Sequence, residues 1–338
     1  MGVKIVSKIN IAVIGCGAWG TTLAKICQEN DNPVMLWCHS EEISNSINFQ
    51  HENKLLLPGV ELPEKMKATT DIYEACEHAD AFIFVIPSPY LDSVKSFSHS
   101  KLSTQPILTA TKAFLSEEKG HFVSHFLNDV FKNNAIASLS GPNLAKEVAN
   151  RKPAASVVAS DQKSLACLFQ DVLSNDYFRL YRSNDVVGVE CGGVLKNSIA
   201  IASGYIDGLQ IGENTKAALI TRSIQEIKRF GMSFGAKEET FYGLSGFGDL
   251  MATCHSNKSR NWQVGYQFSK GKTLDDIIQQ LGAVAEGVYT TKTVVPIARE
   301  KGIEMPIISE VFEVLFNQKD PRQSISDLMS RNLKAEHE

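Results

Sequence analysis

The chain has 338 residues, which predicts two domains because domains most often hold about 100–150 residues. Its 34 lysines and arginines against 38 aspartates and glutamates give a net charge of −4, which argues against nucleic acid as the main partner, since such proteins usually carry a basic excess. Hydrophobic residues make up 43% of the chain, which excludes a disordered protein and predicts sizeable cores.

Short apolar runs rich in β-branched residues recur through the first half of the chain, with little alternation between apolar and polar positions. Strands that are buried on both faces show this pattern. The runs lie at 10–14, 33–37, 81–86, 106–110, 135–139, 154–159 and 177–181. Helical patterns lie between several of them, at 18–29, 41–48, 116–131 and 162–173. This alternation predicts an α/β fold with a Rossmann-type, doubly wound and mainly parallel sheet.

The pattern changes near Asp185, beyond which helical periodicity dominates and strand-like runs almost vanish. A long, mostly apolar helix is predicted at 186–205 and an amphipathic helix at 215–230, with Gly231 as its terminator. Further helices are predicted at 274–281, 290–301 and 307–316. We therefore predict an α/β domain at 1–188, followed by an all-helical domain at 189–338.

A glycine-rich turn follows the first predicted strand. Gly15, Gly17 and Gly20 form the pattern G-x-G-x-x-G between this strand and the first helix. In this pattern the first glycine permits a tight turn, the second lets the backbone approach a pyrophosphate, and the third lets helix and strand pack closely. The phosphates lie over free N–H groups at the positive end of the helix. The strand–turn–helix context favours dinucleotide binding over the alternative, a turn with a purely structural role.

The end of the second predicted strand bears on the choice of dinucleotide. NAD-specific sites place an aspartate or glutamate near this point, where it holds the ribose hydroxyls. This chain has tryptophan, cysteine, His39 and Ser40 there, and the first carboxylate is Glu41. A 2′-phosphate would meet no repulsion from this stretch, and His39 or Ser40 could bind it, so NADPH is at least tolerated. The alternative is that His39 is merely exposed.

Two lysines are candidates for catalysis or binding. Lys112 follows the strand at 106–110, and the carboxyl ends of strands form the ligand crevice of an open α/β sheet, although alone it could be a surface charge. Lys196 lies within the apolar helix, where a free ammonium is costly. Gly192 and Gly193 leave a notch beside it that admits either a substrate or a neighbouring helix. A desolvated lysine near another cation has a lowered pKa and can act as a general base.

A third stretch combines a carboxylate with a candidate phosphate site. The sequence Leu-Ser-Gly-Phe-Gly at 244–248 leads into Asp249, which predicts a tight functional loop. Arg260 lies between Ser259 and Asn261, and a guanidinium flanked by neutral donors suits a phosphate group. The alternatives are that the stretch at 244–248 is a surface turn and that Arg260 forms a surface ion pair.

The cysteines and the apolar runs bear on the compartment. The seven cysteines are odd in number and none is spaced as C-x-x-C, so we expect neither a disulfide framework nor a structural zinc site. We interpret them as small buried hydrophobic residues in a reducing compartment. No apolar run approaches the ~20 residues of a membrane-spanning helix, so we expect a cytoplasmic protein without a membrane span.

Together, these residues resemble a known family, the bacterial-type NAD(P)-dependent glycerol-3-phosphate dehydrogenases. The resemblance runs through nearly the whole chain and depends on many short stretches in the same order. They are 15–20, 110–112, 140–145, 195–197, 244–250, 259–261, 284–287 and 328–334. The resemblance implies an oxidoreductase that binds NAD or NADP in its first domain and completes the substrate site with its second.

The resemblance also implies roles for single residues. Besides the glycine turn, the implied cofactor contacts are Ala18, Trp19, His39, Lys112, Ala145, Arg260, Val284 and Glu286. The implied contacts of glycerol 3-phosphate are Lys112, Gly141, Asn143, Lys196, Asp249, Ser259, Arg260 and Asn261. Lys196 is implied to be the proton acceptor.

Two positions depart from the family pattern. Asn143 stands where the family usually has a small hydroxyl residue, and Ala113 follows Lys112 where glycine is usual. We expect these changes to alter contact geometry rather than the reaction.

The implied reaction is the reversible reduction of dihydroxyacetone phosphate to sn-glycerol 3-phosphate, the backbone precursor of phospholipids, and the implied assembly is a homodimer. Two alternatives remain. One is a related dehydrogenase acting on hydroxy acids or sugar phosphates. The other is a nucleotide-sensing module without catalysis, which would be marked by loss of the lysine and the phosphate site.

Overall fold

The computed structural model describes residues 8–97, 100–116, 121–132, 134–282, 284–333 and 335–336. Its first part is built on eight strands: Ile11–Ile14 (β1), Val34–Trp37 (β2), Lys67–Thr69 (β3), Ala81–Phe84 (β4), Ile107–Thr109 (β5), Ile136–Ser140 (β6), Ala154–Ala159 (β7) and Phe178–Ser183 (β8). They form one sheet in the order β3-β2-β1-β4-β5-β6-β7-β8. Neighbouring strands are parallel except β6 and β7, which are antiparallel.

The predicted fold class is confirmed, since all seven strand-like runs form strands of this mainly parallel sheet. Six helices accompany them: Ala18–Glu29 (α1), Glu41–Gln50 (α2), Ile72–Glu77 (α3), Val123–Phe131 (α4), Ala145–Ala149 (α5) and Lys163–Leu173 (α6). The sequence pattern misses β3, because its three residues at the sheet edge carry too little periodicity.

One helix prediction is wrong in its start. The helix predicted at 116–131 begins at Val123, and residues 117–120 lie outside the described residues. Phe122, just before the helix, is extended and forms an isolated antiparallel bridge with Phe114. Met1 to Ser7 of the first predicted domain, and Lys334 at the end of the last resembling stretch, also lie outside the described residues.

The central strands explain why the sheet is covered on both faces. All four residues of β1 are buried, and so are all four of β4. On one face Val13 joins a core cluster with Leu23 and Ile26 of α1, and on the other Ile14 joins a cluster with Phe84. Alternate residues of each strand therefore supply two separate cores, which is the doubly wound arrangement.

The second part of the chain is helical, as predicted. Its helices are Val186–Leu209 (α7), Glu213–Met232 (α8), Asp249–His255 (α9), Arg260–Phe268 (α10), Leu274–Leu281 (α11), Glu286–Glu300 (α12), Pro306–Phe316 (α13) and Pro321–Met329 (α14). The predicted domain boundary at 188 lies two residues into α7 and stays a prediction.

The helix α7 is the centre of this part. Of the described helices it is the one that is long and apolar enough to cross a membrane by length and composition, and 83% of its most apolar 18-residue window is buried inside the fold. It packs against α8, α9, α10 and α12 on different sides. Burial on all sides accounts for its apolar composition.

The helices α7 and α10 cross in direct backbone contact. A Cβ atom added at Gly265 of α10 would lie 1.8 Å from the carbonyl oxygen of Ile201, and one added at Gly204 would lie 2.0 Å from that of Trp262. The two backbones therefore touch directly, and any larger residue would separate them. Because Arg260 and Asn261 begin α10, this crossing also sets their position relative to α7.

We predict that Gly265→Ala lowers the free energy of unfolding by about 1–3 kcal/mol, the usual cost of forcing atoms into a filled core. Urea denaturation measures this change. The matched control is Gly17→Ala, where the added methyl group meets no described atom within 4 Å. The control should stay within about 0.5 kcal/mol of the wild type. Equal midpoints for Gly265→Ala and the wild type would contradict the close crossing.

Candidate active site

The glycine turn lies where the sequence predicts, between β1 and α1. Gly15 has a φ of +117°, and a Cβ atom there would lie 2.5 Å from the carbonyl oxygen of Val85. A Cβ atom at Gly20 would lie 1.8 Å from the carbonyl oxygen of Gly15. At Gly17, in contrast, no described atom lies within 4 Å of such a Cβ. Two glycines are thus required by the turn itself, and the third faces open space.

The beginning of α1 suits a pyrophosphate. Gly17 is its N-cap, no described side chain caps it, and its first turn holds no acidic residue. The free N–H groups and the positive end of the helix therefore face the open space above Gly17. Ala18 and Trp19 follow at the mouth of this space, and the indole of Trp19 packs edge-on against Phe178 with 6.0 Å between ring centroids. The residues present fit a dinucleotide.

The end of β2 carries no carboxylate, as the sequence shows. His39 is exposed, with its Nδ1 atom 3.7 Å from the sulfur of Cys16. Ser40 is the N-cap residue of α2, yet its hydroxyl makes no capping hydrogen bond. The hydroxyl and the imidazole are thus both available to a ligand at this edge of the turn.

The central feature of the site is a carboxylate that bridges two lysines. Asp249 is 1% exposed and accepts hydrogen bonds of 2.6 Å from the ammonium groups of Lys112 and Lys196, one on each carboxylate oxygen. Lys112 comes from the end of β5, Lys196 from α7, and Asp249 begins α9. The structure therefore brings the three residues together although 53 to 137 positions separate them along the chain.

Each lysine makes one further bond. Lys112 donates to the carbonyl oxygen of Gly141 at 3.1 Å, and Lys196 donates to the hydroxyl of Thr253 at 2.6 Å. The Thr253 hydroxyl in turn donates to the carbonyl oxygen of Asp249 at 2.6 Å. An ammonium group has three N–H donors. Among the described residues, each lysine thus bonds with two of them and leaves one for a ligand.

Burial and, to a smaller degree, the charge of Lys112 lower the pKa of Lys196, and Asp249 opposes both effects, so that the resulting pKa is about 8. Desolvation disfavours the charged ammonium, and the neighbouring carboxylate favours it. The amine therefore changes its charge near neutral pH, as a proton donor and acceptor must.

The notch beside Lys196 is filled by protein. A Cβ atom at Gly192 would lie 2.4 Å from the carbonyl oxygen of Ser245, and one at Gly193 would lie 2.3 Å from the hydroxyl of Ser140. The sequence left open whether these glycines admit a substrate or a neighbouring element, and the structure shows that they admit neighbouring elements. Ser245 belongs to a π-helical turn, Leu244–Gly248, which leads directly into Asp249.

The candidate phosphate residues lie at the start of α10. Ser259 caps this helix through the backbone N–H of Trp262, at 3.3 Å. Arg260 is exposed and donates to the carbonyl oxygen of Val284 at 3.2 Å. Asn261 donates to the side chain of Asn197 at 2.9 Å. The hydrogen bond of Asn261 ties this segment to the residue that follows Lys196.

Two further contacts lie around the crevice. Glu286, at the start of α12, accepts from the backbone N–H of Ser88 at 2.9 Å and from its hydroxyl at 2.6 Å. Burial raises the pKa of this carboxyl group, and the bonds from Ser88 oppose that rise. Ala145 begins α5, and its carbonyl oxygen accepts a bond of 3.3 Å from Thr22 of α1. The segment after β4 is therefore held against α12.

Comparisons with known proteins agree with this geometry. A family model for the N-terminus of NAD-dependent glycerol-3-phosphate dehydrogenase matches residues 10–166, and one for its C-terminus matches residues 185–326. The chain belongs to this family. A curated relative from Citrifermentans bemidjiense, named glycerol-3-phosphate dehydrogenase (NAD(P)+), is 41% identical over 329 residues, which is 96% of this chain and 98% of the relative. A relative of the same name from Enterococcus faecalis is 40% identical, covering 98% of each chain.

A solved structure shows the same arrangement of elements. The crystal structure of glycerol-3-phosphate dehydrogenase from Coxiella burnetii has a TM-score of 0.90 and 33% identity, covering 96% of this chain and 99% of that one. The Plasmodium falciparum glycerol-3-phosphate dehydrogenase structure has a TM-score of 0.86 and 28% identity, covering 97% of this chain and 96% of that one. Both the Rossmann-type fold and the membership of the glycerol-3-phosphate dehydrogenase family are thus shown.

The two departures from the family pattern have simple surroundings. Asn143 accepts a hydrogen bond of 2.7 Å from Ser156 through its side-chain oxygen, and its amide nitrogen is buried without a described partner. Ala113 is buried in the cluster that contains Phe126. The asparagine therefore has an N–H donor without a described partner, and the methyl group of Ala113 points into a core.

Three residues of the site are missing from the sequence-based set. Thr253 lies four positions after Asp249, a helical spacing that could have revealed it. Asn197 directly follows Lys196 in a stretch that resembles the family, so its position beside Lys196 could have identified it as a site residue. Ser88 reaches Glu286 across 198 positions, and no pattern in the sequence predicts that pairing.

We predict that Gly17→Ala folds like the wild type but binds NADPH and NADH more weakly, because the methyl group enters the space above the turn. Loss of about 1.4 kcal/mol of binding free energy would raise Kd tenfold. Titration of NADPH fluorescence measures the affinity. A glycine such as Gly212, with its positive φ, would be strained by alanine and cannot serve as the control. The control is therefore Ala149→Gly in α5, which should leave both affinities unchanged. Unchanged affinity of Gly17→Ala would remove the turn from the dinucleotide site.

Proposed function

We propose that this protein catalyses the reversible NAD(P)H-dependent reduction of dihydroxyacetone phosphate to sn-glycerol 3-phosphate. The observation that carries the proposal is the contact of Asp249 with both Lys112 and Lys196 at 2.6 Å. Curated relatives that cover nearly the whole chain are named for this activity. We also propose that the protein is cytoplasmic and that its product is used in glycerophospholipid synthesis. We further propose that it forms a homodimer, and light scattering would measure the mass of that dimer.

Lys196 is the proposed proton donor in ketone reduction and the proton acceptor in the reverse direction. As the carbonyl at C2 becomes an alkoxide, negative charge grows on its oxygen. A buried ammonium with one unused N–H can stabilise that charge and then transfer its proton. Its pKa of about 8 lets the same amine exist in both states near neutral pH.

Asp249 and Lys112 are proposed to hold Lys196 and the substrate hydroxyls in place. The carboxylate fixes Lys196 from one side while Thr253 fixes it from another, so that the remaining N–H has a defined direction. Lys112 is less buried than Lys196 and offers its own remaining N–H toward the crevice. Together with Gly141 and Asn143, it is proposed to contact the substrate.

Arg260, with Ser259 and Asn261, is proposed to bind the phosphate group, which carries about −1.5 to −2 charges at neutral pH. The guanidinium is exposed and donates one described bond, to Val284, so further N–H donors remain. Binding energy gained at the phosphate orients C2 against the amine.

The glycine turn, with Ala18, Trp19 and His39, is proposed to hold the dinucleotide, while Ala145, Val284 and Glu286 close over it. When bound, the reduced nicotinamide supplies the hydride for C2. His39 and Ser40 stand at the described end of β2 in place of a carboxylate, and the Ser40 hydroxyl makes no capping hydrogen bond. This arrangement supports the use of NADPH.

We predict that the purified protein oxidises NADPH or NADH when given dihydroxyacetone phosphate, and that Lys196→Met reduces kcat by about 10²–10⁴-fold. The proton donor is lost, but the dinucleotide site is untouched, so the Kd for NADPH should be unchanged. Absorbance at the nicotinamide band follows turnover, and fluorescence titration follows binding.

The matched control is Lys292→Met, which removes an exposed lysine of α12 and should leave both values unchanged. Folded wild-type protein that turns over dihydroxyacetone phosphate with neither cofactor would contradict the proposed function. Binding of NADPH without turnover of any phosphorylated ketone would support the nucleotide-sensing alternative instead. Near-normal kcat in Lys196→Met would remove this residue from the proton transfer.

A pH profile gives a second prediction. Ketone reduction needs the protonated amine, so its rate should fall as pH rises through about 8, and alcohol oxidation should rise over the same range. Asp249→Asn removes the charge that raises the Lys196 pKa, so both midpoints should move to lower pH. An Asp249→Asn profile with midpoints at the wild-type position would show that another group titrates.

A further inference from the structure

A buried asparagine outside the glycine turn is bonded to the backbone of that turn. Asn53 is 0% exposed and lies between α2 and β3. Its side-chain amide nitrogen donates to the carbonyl oxygen of Cys16 at 2.9 Å and to the hydroxyl of Thr21 at 2.9 Å. Its side-chain oxygen accepts from the backbone N–H of Leu56 at 3.1 Å. Asn53 therefore ties the turn between β1 and α1 to a segment that belongs to neither element.

The carbonyl group of Cys16 is held by two donors. Besides the amide of Asn53, the hydroxyl of Thr21 donates to it at 3.1 Å, so both lone pairs of the oxygen are used. The peptide bond between Cys16 and Gly17 is trans, and in a trans peptide the C=O and the N–H point in opposite directions. The two bonds on the Cys16 oxygen therefore fix the direction of the Gly17 N–H.

The direction of this N–H bears on the proposed pyrophosphate site. Gly17 is the N-cap residue of α1, so its N–H directly precedes the free N–H groups of the first helical turn. Successive backbone N–H groups bind an anion together only while their peptide planes present them to the same side. A rotation of the Cys16–Gly17 peptide plane would therefore turn one donor away from the phosphates and displace the beginning of α1.

The segment that carries Asn53 is itself anchored in the core. Leu57, Val60 and Leu62 are buried in the cluster that also contains Leu23 of α1. The backbone N–H of Leu57 donates to the carbonyl oxygen of Asn53 at 2.9 Å. These contacts hold the asparagine in place independently of its bonds to the turn. Asn53 can therefore act as a fixed support for the Cys16 carbonyl.

A side-chain amide suits the three partners of Asn53, because it combines two N–H donors with one acceptor. An aspartate has the same shape, but its ionised form has no donor and would place a negative charge against the carbonyl oxygen of Cys16. Alanine would leave that oxygen with the single bond from Thr21. A buried polar group that loses its partner is costly, so either change favours movement of the turn.

We propose that Asn53 is a positioning residue of the dinucleotide site, which acts through the Cys16 carbonyl to orient the Gly17 N–H and the start of α1 toward the pyrophosphate of NADPH or NADH. This inference rests on the proposed binding of the dinucleotide at the glycine turn. Asn53 has no described hydrogen bond to His39 or Ser40, the residues proposed to meet the 2′-phosphate. Its loss should therefore weaken ligands that contain the pyrophosphate more than a ligand that contains only adenosine and the 2′-phosphate.

The test compares the full-length wild type with Asn53→Ala and Asn53→Asp, and Asn134→Ala is the matched control. Asn134 is also buried, and its amide donates to the carbonyl oxygens of Leu102 and Gln105 at 2.7 and 2.9 Å, just before β5 and β6. The glycine turn follows the other end of β1, which is parallel to those strands. Fluorescence titration measures Kd for NADPH, displacement of NADPH measures Kd for adenosine 2′-monophosphate, and urea denaturation measures stability.

We expect Kd for NADPH to rise by about tenfold in both Asn53 variants, the equivalent of about 1.4 kcal/mol, while Kd for adenosine 2′-monophosphate changes by less than about twofold. In turnover, the effect should appear as a higher KM for NADPH rather than as a lower kcat. Asn134→Ala also loses two hydrogen bonds, so its urea midpoint should fall like that of Asn53→Ala, but both of its dissociation constants should match the wild type.

Wild-type affinity for NADPH in the folded Asn53 variants would overturn the inference. Equal weakening of NADPH and adenosine 2′-monophosphate would also overturn it, because it would show general damage to the first domain. If neither Asn53 variant folds, Thr21→Val decides in the same way, since it removes the hydroxyl that joins Asn53 to the Cys16 carbonyl. A wild type that binds no dinucleotide would contradict the dinucleotide site and this inference with it. Binding of NADPH without reduction of dihydroxyacetone phosphate would contradict the proposed reaction alone.

Discussion

The site depends on one buried carboxylate with two cationic partners. Asp249 is 1% exposed, and a carboxylate in such a place without a partner costs several kcal/mol. Lys112 and Lys196 supply that partner from two different parts of the chain, one after β5 and one from the middle of α7. Removing Asp249 would leave two ammonium groups without their shared carboxylate, whereas removing one lysine would leave a single ion pair. The sheet and the helices are therefore held in register at the point where the chemistry is proposed to occur.

In the proposed mechanism, the charge balance of this triad accounts for the binding of an anionic substrate by a chain with a net charge of −4. With both lysines protonated the triad carries one positive charge, and with Lys196 neutral it carries none. In the proposed reaction, a growing alkoxide is matched by the first state, and proton transfer ends in the second. The overall charge therefore says nothing about the crevice, because the relevant balance involves three side chains. Arg260 is proposed to add a separate cation for the phosphate.

Much of the fold follows from the sequence, since apolar runs without alternation specify strands buried on both faces. The sequence does not predict features that depend on few residues or on partners far apart along the chain. The three residues of β3 carry no usable period, and the helix predicted from residue 116 begins at Val123, because Phe122 is extended and pairs with Phe114. In the site, Lys196 is conspicuous as a charge in an apolar helix, whereas Ser88 is an ordinary loop serine until the fold places it against Glu286.

The glycines of α7 show how local stability is given up for geometry. Each glycine inside a helix costs about 1 kcal/mol relative to alanine. Yet a Cβ atom at Gly192 would lie 2.4 Å from the carbonyl oxygen of Ser245, and one at Gly204 would lie 2.0 Å from that of Trp262. The helix is thus approached closely by backbone near Lys196 and again toward its end. Alanines would raise helix propensity, but they would move the Leu244–Gly248 turn and α10 away from α7. The gain in propensity would be offset by loss of the contacts that align the two lysines with Asp249.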